Sequence, residues 1–462
     1  MSMMRKFKTI HFVGIGGIGM SGIAEVLINQ GFTVTGSDNN LSDITEYLEK
    51  KGAKIFSGHA SENVGSADVL VYSSAVTPEN PEVTAALNKN IPVIRRAEML
   101  GELMRMKYGI AISGTHGKTT TSSMVGHVLD EGKLDPTLII GGRIRSLNTN
   151  ARLGTSEYMV TEADEFDRSL LTLTPSIAVI TNIELDHMDC YEDLDDIKNT
   201  FAEFANKVPF YGVVICCLDS ENVQDILPMI NKPVTTYGFS AQADYQAANV
   251  EYIDNQTHFS VMEKGEEIIR LSIILPGNHN VLNALAAYTV GRELEIPITE
   301  IKKGLQNFSG VMRRFEIKYQ DENIIVVDDY AHHPTEVKST LDAAKSSWNK
   351  RVIAVFQPHL YSRTRDFHKE FGKSFFNSDI LIVTDIYAAR ETPIEGVNGQ
   401  LVADAAKAFG HKEVYFIPDL SQIPDLLEKI TTVGDVVIGL GAGDIWKAIN
   451  SYIKRIKDAR GN

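Results

Sequence analysis

Residues 108–121 read Tyr-Gly-Ile-Ala-Ile-Ser-Gly-Thr-His-Gly-Lys-Thr-Thr-Thr, and this stretch decides the fold. An apolar run of strand length at 108–113 breaks at Gly114 into a short loop, and the residues from Lys118 onward open a helix. A Gly-Lys-Thr core after a strand offers backbone N–H groups and an ammonium to phosphates and a hydroxyl to Mg²⁺. The usual first glycine of such a loop, five residues before Gly117, is Ile112 here, so the loop is a shortened variant that starts at Gly114.

On either side, short β-branched runs alternate with amphipathic stretches, which argues parallel strands with covering helices and an α/β protein. Strands are expected at 9–13, 33–36, 68–74, 108–113, 158–162, 177–182, 213–217, 324–328, 352–356, 380–384 and 436–440. Residues 239–272 alternate apolar and polar positions and read as antiparallel strands attached to the middle of the chain. The 462 residues have room for about three domains. Boundaries are expected near 105–107 and 310–314, after helical segments at 97–106 and 298–308, giving domains 1–107, 108–311 and 312–462.

Apolar residues make up 43% and charged residues 23%, ordinary globular usage that excludes a disordered or fibrous chain. Forty-five Lys and Arg face sixty Asp and Glu, a net charge of −15 that opposes nucleic acid and anionic membranes. Cys190, Cys216 and Cys217 are too few for a disulfide framework and fit a reducing, cytoplasmic setting. The basic N-terminus leads into a strand-like run and five glycines between Gly14 and Gly22 rather than an apolar signal segment. No stretch approaches the roughly 18 uninterrupted apolar residues of a membrane span.

Further motifs sit where strands end. Gly14-Ile15-Gly16-Gly17-Ile18-Gly19 satisfies G-x-G-x-x-G between a strand and a helix, and Asp38 follows at the distance of a ribose-binding acid. Alone, this motif reads equally as a dinucleotide site or as a site for another nucleoside diphosphate. Glu162, Asp164 and Glu165 follow one strand, and Glu184, Asp186 and His187 the next, a set suited to Mg²⁺ beside phosphates. Asn280 and Asn283 lie on one helical face, where paired amides could read a purine edge, while Asn278 reads as a helix N-cap. Arg313-Arg314, the run 328–333, the run 358–365 and Gly441-Ala442-Gly443-Asp444 concentrate basic side chains at strand ends of an acidic chain, which suggests anionic ligands.

Two nucleotide-type loops in separate domains, the second with its acidic and imidazole set, resemble the Mur ligase family. The resemblance covers essentially the whole chain and rests on 14–22, Ser73-Ser74-Ala75, 114–121, 162–167, 181–187, 279–283, 328–336, 358–365 and 441–445. It implies an N-terminal Rossmann-like UDP-binding domain, a central P-loop ATPase domain and a C-terminal Rossmann-like domain. The implied activity is ATP-dependent amide formation in peptidoglycan synthesis, joining L-alanine to the lactyl carboxylate of UDP-N-acetylmuramate through an acyl phosphate.

The resemblance also implies site residues. Gly114, Thr115, His116, Gly117, Lys118, Thr119 and Thr120 would cradle ATP, with Lys118 on the β- and γ-phosphates. Thr119 and Glu162 would hold one Mg²⁺ and His187 would help hold a second. Asn280 and Asn283 would face adenine, Arg314 the phosphates and Asp329 the ribose. Gly16, Gly17, Ile18, Gly19, Asp38, Ser73, Ser74 and Ala75 would take the UDP-sugar, and Tyr330, His332, His359 and Arg363 would stand near the lactyl carboxylate and the incoming alanine. The expected catalytic set is Lys118, Glu162, His187, His332 and Arg363, in a monomer or homodimer without nucleic-acid or membrane partners.

Leu360 departs from an Arg that some relatives carry, and Lys207, where sister ligases carry a carbamoylated lysine, reads as an ordinary surface residue. Within the family the alternative is a recycling ligase that joins the same sugar nucleotide to a preformed tripeptide. An NAD-dependent oxidoreductase accounts for the first glycine motif but leaves 114–121 without a purpose.

Overall fold

The computed structural model describes residues 6–145, 149–186, 190–253, 256–389 and 391–460. They form two compact units, one of Met1–Glu251, His258–Ile273 and Val281–Ser309, the other of Tyr252–Thr257, Ile274–Asn280 and Gly310–Asn462.

The first unit carries two sheets over one continuous apolar core. The N-terminal sheet has five parallel strands in the order Lys54–Ser57, Thr33–Asp38, Thr9–Val13, Val69–Tyr72, Val93–Arg95. The strand order reverses at Thr9–Val13, and such switch points open a ligand crevice at the carboxyl edge. There the chain turns through Gly14, and the neighbouring strand ends in a turn closed by the Val76 amide on the Ser73 carbonyl at 2.9 Å. That turn shortens the strand expected at 68–74 to Val69–Tyr72.

The central sheet has ten strands, with Tyr108–Ser113 paired in parallel with both Ile177–Ile180 and Tyr158–Glu162. Ile110, Ala111 and Ile112 are fully buried, as a strand covered on both faces requires. Thr137–Ile144 and Thr149–Arg152 form an antiparallel pair at one end of the sheet. Tyr245–Ile253, Gln256–Glu263 and Glu266–Ile273 complete the other end. Lys264 and Gly265 join the last two with φ of 54° and 82°, a two-residue hairpin turn that makes them antiparallel as expected. Tyr245–Ile253 instead enters the sheet by parallel pairing with Val234–Gly238. Cys216 and Cys217 end the buried strand Val213–Cys217, where burial pushes both thiols up to about 12.

The second unit has six strands in the order Glu316–Gln320, Ile324–Asp329, Asp435–Leu440, Val352–Phe356, Ile380–Val383, Val414–Phe416, parallel except for the first. The last strand in the chain, Asp435–Leu440, inserts between Ile324–Asp329 and Val352–Phe356. The carboxyl ends of those three strands therefore open side by side into 330–333, 441–444 and 357–360.

Candidate active site

Glycine is obligatory twice in the loop after Tyr108–Ser113. Gly114 has φ +130° and an added Cβ would lie 2.0 Å from Thr181 Oγ1, and Gly117 has φ +84° with its Cβ position 2.6 Å from Asn283 Oδ1. The Ile177–Ile180 strand's exit fixes the loop. Asn182 accepts the Thr115 and His116 amides through its carbonyl and side-chain oxygens at 3.1 and 2.9 Å. Its Nδ2 and the Thr181 hydroxyl both donate to the His116 carbonyl, at 3.1 and 2.6 Å. The Lys118–Glu131 helix starts directly behind, with Thr119 and Thr120 buried in its first turn.

Lys118 Nζ donates to the Gly114 carbonyl at 2.7 Å, to the Thr115 carbonyl at 3.2 Å and to both Glu165 oxygens at 2.9 and 2.8 Å. Burial works against the ammonium, yet Glu165 and Asp164 outweigh it and raise its pKa. Glu162 ends the Tyr158–Glu162 strand and accepts the Gly141 amide at 2.6 Å through one oxygen. His116 Nε2 lies 3.4 Å from Glu184 Oε2, and Asp186 is buried close by in sequence. His187 lies outside the described residues. Thr121 Oγ1 donates to Asn283 Oδ1 at 3.1 Å, so that amide is turned toward the helix behind the loop.

In the N-terminal sheet the Ser37 carbonyl accepts the Gly14 and Ile15 amides at 2.8 and 3.1 Å. Asp38 accepts the Gly16 amide at 2.8 Å and, through its other oxygen, the Asn40 amide at 3.0 Å, so this acid shapes the turn. Gly17 caps the Ile18–Asn29 helix, where Gly19 packs against Arg96, and the Ala75 amide donates to Ser73 Oγ at 3.3 Å beside exposed Ser74.

The second unit builds its own cluster. Asp329 is buried and accepts the Phe315 and Ala331 amides at 2.6 and 2.8 Å, and burial raises its pKa against the pull of Arg314. Arg313 and Arg314 lie over the Tyr330 ring at 5.1 and 5.0 Å. His332 Nδ1 is 3.0 Å from the Tyr330 carbonyl, and its ring meets His359 edge to face at 5.7 Å. His359 stacks on Tyr387 at 5.9 Å and receives Arg363 Nη1 at 3.5 Å. Asn280 Nδ2 donates to the Pro276 carbonyl at 2.7 Å, and Asn278 is already the first helical residue, one position past the cap expected of it. Leu360 has φ +70° at the head of the Tyr361–Ser374 helix.

Comparison with known proteins places these parts in one family. The Mur ligase family catalytic domain matches residues 9–108, the Mur ligase middle domain 112–291, and the Mur ligase glutamate ligase domain 313–443. The chain is 56% identical to the UDP-N-acetylmuramate--L-alanine ligase of Syntrophotalea carbinolica, covering 96% of this chain and 97% of that one. The enzyme of the same name from Geotalea uraniireducens is 54% identical, over 98% and 99%. The chain belongs to the Mur ligase family. The crystal structure of the UDP-N-acetylmuramate-alanine ligase of Thermotoga maritima matches this Mur ligase with a TM-score of 0.83 at 30% identity, over 98% and 100% of the two chains. A murein peptide ligase from Psychrobacter arcticus shares the fold, with a TM-score of 0.71 at 23% identity.

Membership in a ligase family sets aside the oxidoreductase reading of the first glycine motif. Three residues beside the candidate clusters escaped the sequence reading. Gly141 holds Glu162, Tyr387 backs His359, and Glu391 accepts the Ser362 amide at 3.0 Å where the Tyr361–Ser374 helix begins. Only Glu391 carried a local signal, an acid in a turn-rich stretch, and nothing in the chain tied it to Ser362. Lys207 stands at the end of the Leu194–Asn206 helix with Nζ 3.7 Å from Glu203, an ordinary surface pairing.

Proposed function

We propose that this Mur ligase joins L-alanine to the lactyl carboxylate of UDP-N-acetylmuramate in peptidoglycan synthesis, with ATP converted to ADP and phosphate. Full-length identity of 56% to a relative of that activity carries the reading, and the loop around Lys118 supports it.

The lactyl carboxylate attacks the γ-phosphorus, the bond to the ADP oxygen breaks, and an acyl phosphate forms. The alanine amine then attacks the acyl carbon, loses a proton, and phosphate leaves with its oxygen. Two anions must meet in the first step, so fixed positive charge is the main requirement. Lys118 supplies it in a loop whose amides are already oriented by Asn182. Thr119 in the first helical turn and Glu162 at the adjacent strand end are hard oxygen donors that fit Mg²⁺, which screens phosphate charge when bound. The pair His116 and Glu184 offers donors for a second ion. Gly16 to Gly19, Asp38 and the Ser73 turn take the UDP-sugar at the switch point of the first sheet. Arg314 would serve phosphate and Asp329 the ATP ribose, while Asn280 and Asn283 would serve adenine with the amide atoms that the Pro276 carbonyl and the Thr121 hydroxyl leave over.

Tyr330, His332, His359 and Arg363 serve the carboxylate and amine side. His332 Nδ1 donates to the Tyr330 carbonyl with Glu336 Oε2 at 3.3 Å, an arrangement that in the neutral ring leaves Nε2 as the basic nitrogen for the amine's proton.

Phosphate release with ATP, Mg²⁺ and UDP-N-acetylmuramate tests the reading when free L-alanine, the tripeptide L-Ala-γ-D-Glu-meso-diaminopimelate and no acceptor are compared. Release stimulated most by L-alanine is expected. Preference for the tripeptide would reassign the chain to recycling, and release indifferent to acceptor would overturn the ligase chemistry.

A further inference from the structure

Glu82 lies in the first turn of the Pro81–Asn88 helix at 0% exposure, so neither substrate nor solvent reaches it. Four donors nevertheless converge on its carboxylate. Ser37 Oγ donates at 2.5 Å, Asn63 Nδ2 at 2.6 Å, the Ala60 amide at 3.1 Å, and His11 Nε2 lies at 3.2 Å. Behind them, His11 Nδ1 is 2.7 Å from Thr35 Oγ1 and His59 Nδ1 is 2.9 Å from Ser37 Oγ. Burial alone would raise this carboxyl, but the donors outweigh it and hold it at about 2. A buried charge is tolerated only when its lone pairs are used, and here they are.

The network reaches the glycine turn through Ser37. Its hydroxyl belongs to Glu82, while its carbonyl accepts the Gly14 and Ile15 amides at 2.8 and 3.1 Å. The next residue, Asp38, points to the opposite face of the strand and accepts the Gly16 amide at 2.8 Å. The first half of the glycine turn thus hangs on two consecutive strand residues, and Glu82 anchors one of them.

We propose that Glu82 is a positioning residue for the sugar nucleotide, acting through Ser37 to hold the 14–19 turn in the form that receives a diphosphate. The inference rests on the reading of that turn as the UDP site. A carboxylate accepts from all four at once, whereas a glutamine that keeps the Ala60 and Asn63 donors on its oxygen turns an N–H₂ toward Ser37 Oγ and His11 Nε2, which must then reverse and accept, so the Ser37 link changes direction.

The test uses the full chain, with UDP binding followed by titration calorimetry and steady-state kinetics for both nucleotides. For Glu82→Gln we expect the UDP dissociation constant and the KM for UDP-N-acetylmuramate to rise about tenfold, with kcat and the KM for ATP within about twofold of wild type. Unchanged UDP affinity overturns the proposal, as does a parallel rise in both KM values, which would mark a general loss of structure. If Glu82→Gln does not fold, Ser37→Ala removes the link together with the Ser37–His59 contact and must show the same selective loss, or the proposal fails. Wild-type protein that binds no UDP would overturn the site reading itself, an outcome distinct from equal binding by wild type and variant.

Discussion

Two glycine turns, each after a buried strand and before a helix, are held in different ways. The turn at 14–19 hangs from a main-chain carbonyl and one acid, Ser37 and Asp38, and contains no charged residue. The loop at 114–117 ends in Lys118, whose ammonium reaches two loop carbonyls and the Glu165 carboxylate. Backbone amides at a helix start suffice to bind a diphosphate that stays intact. A phosphate that is transferred needs a cation that follows the charge as it moves. Under the proposed function, the difference between the turns separates holding from reacting.

The strongest way to break the comparison is Lys118→Ala, for which we expect kcat to fall by about 10²–10³ with UDP affinity unchanged. Phosphate release and UDP calorimetry on one preparation check both halves. Next come the glycines. Gly114→Ala puts a Cβ 2.0 Å from Thr181 Oγ1 at φ +130°, whereas Gly16→Ala meets the Asp38 carboxylate at 2.9 Å without a positive φ. The first should cost about 2–4 kcal/mol of stability and the second about 1, read from urea midpoints. Similar losses would mean that the two turns are equally rigid.

A third contrast concerns two buried carboxyls. Donors hold Glu82 at about 2, whereas burial pushes Asp328 up to about 6 despite Arg313. The signs oppose. Glu82 contributes stability above its ordinary range, lost as pH falls toward 2. The fold favours protonated Asp328, a contribution complete below its ordinary value of 3.8 and lost as pH rises through about 6. Asp328→Asn should therefore gain on wild type by up to about 3 kcal/mol in unfolding free energy between about pH 4 and pH 7, read from urea midpoints across that range.

The strands at 9–13, 108–113, 213–217 and 352–356 were legible to the residue, because an apolar run buried on both faces ends where the polar turn begins. Glu316–Gln320 and Val414–Phe416 were not; one is a largely polar edge strand and the other has only three residues. Thr137–Ile144 escaped because Gly141 and Gly142 interrupt it, one of them lying against Glu162. At the site, Lys118 and its glycines were readable because the loop is contiguous. The Lys118–Glu165 pair spans 47 positions, and the stacking of His359 on Tyr387 depends on how two strand ends lie side by side. No local pattern encodes such contacts.

The sealed thiols of the central sheet have a practical consequence. Cys216 and Cys217, at 0% and 2% exposure and with pKa near 12, hold almost no thiolate at neutral pH and no path for a reagent. Alkylation at either must wait for the strand that carries them to open. The rate of maleimide capture there is a clock for the breathing of the sheet that positions Lys118, built into the native chain without a label.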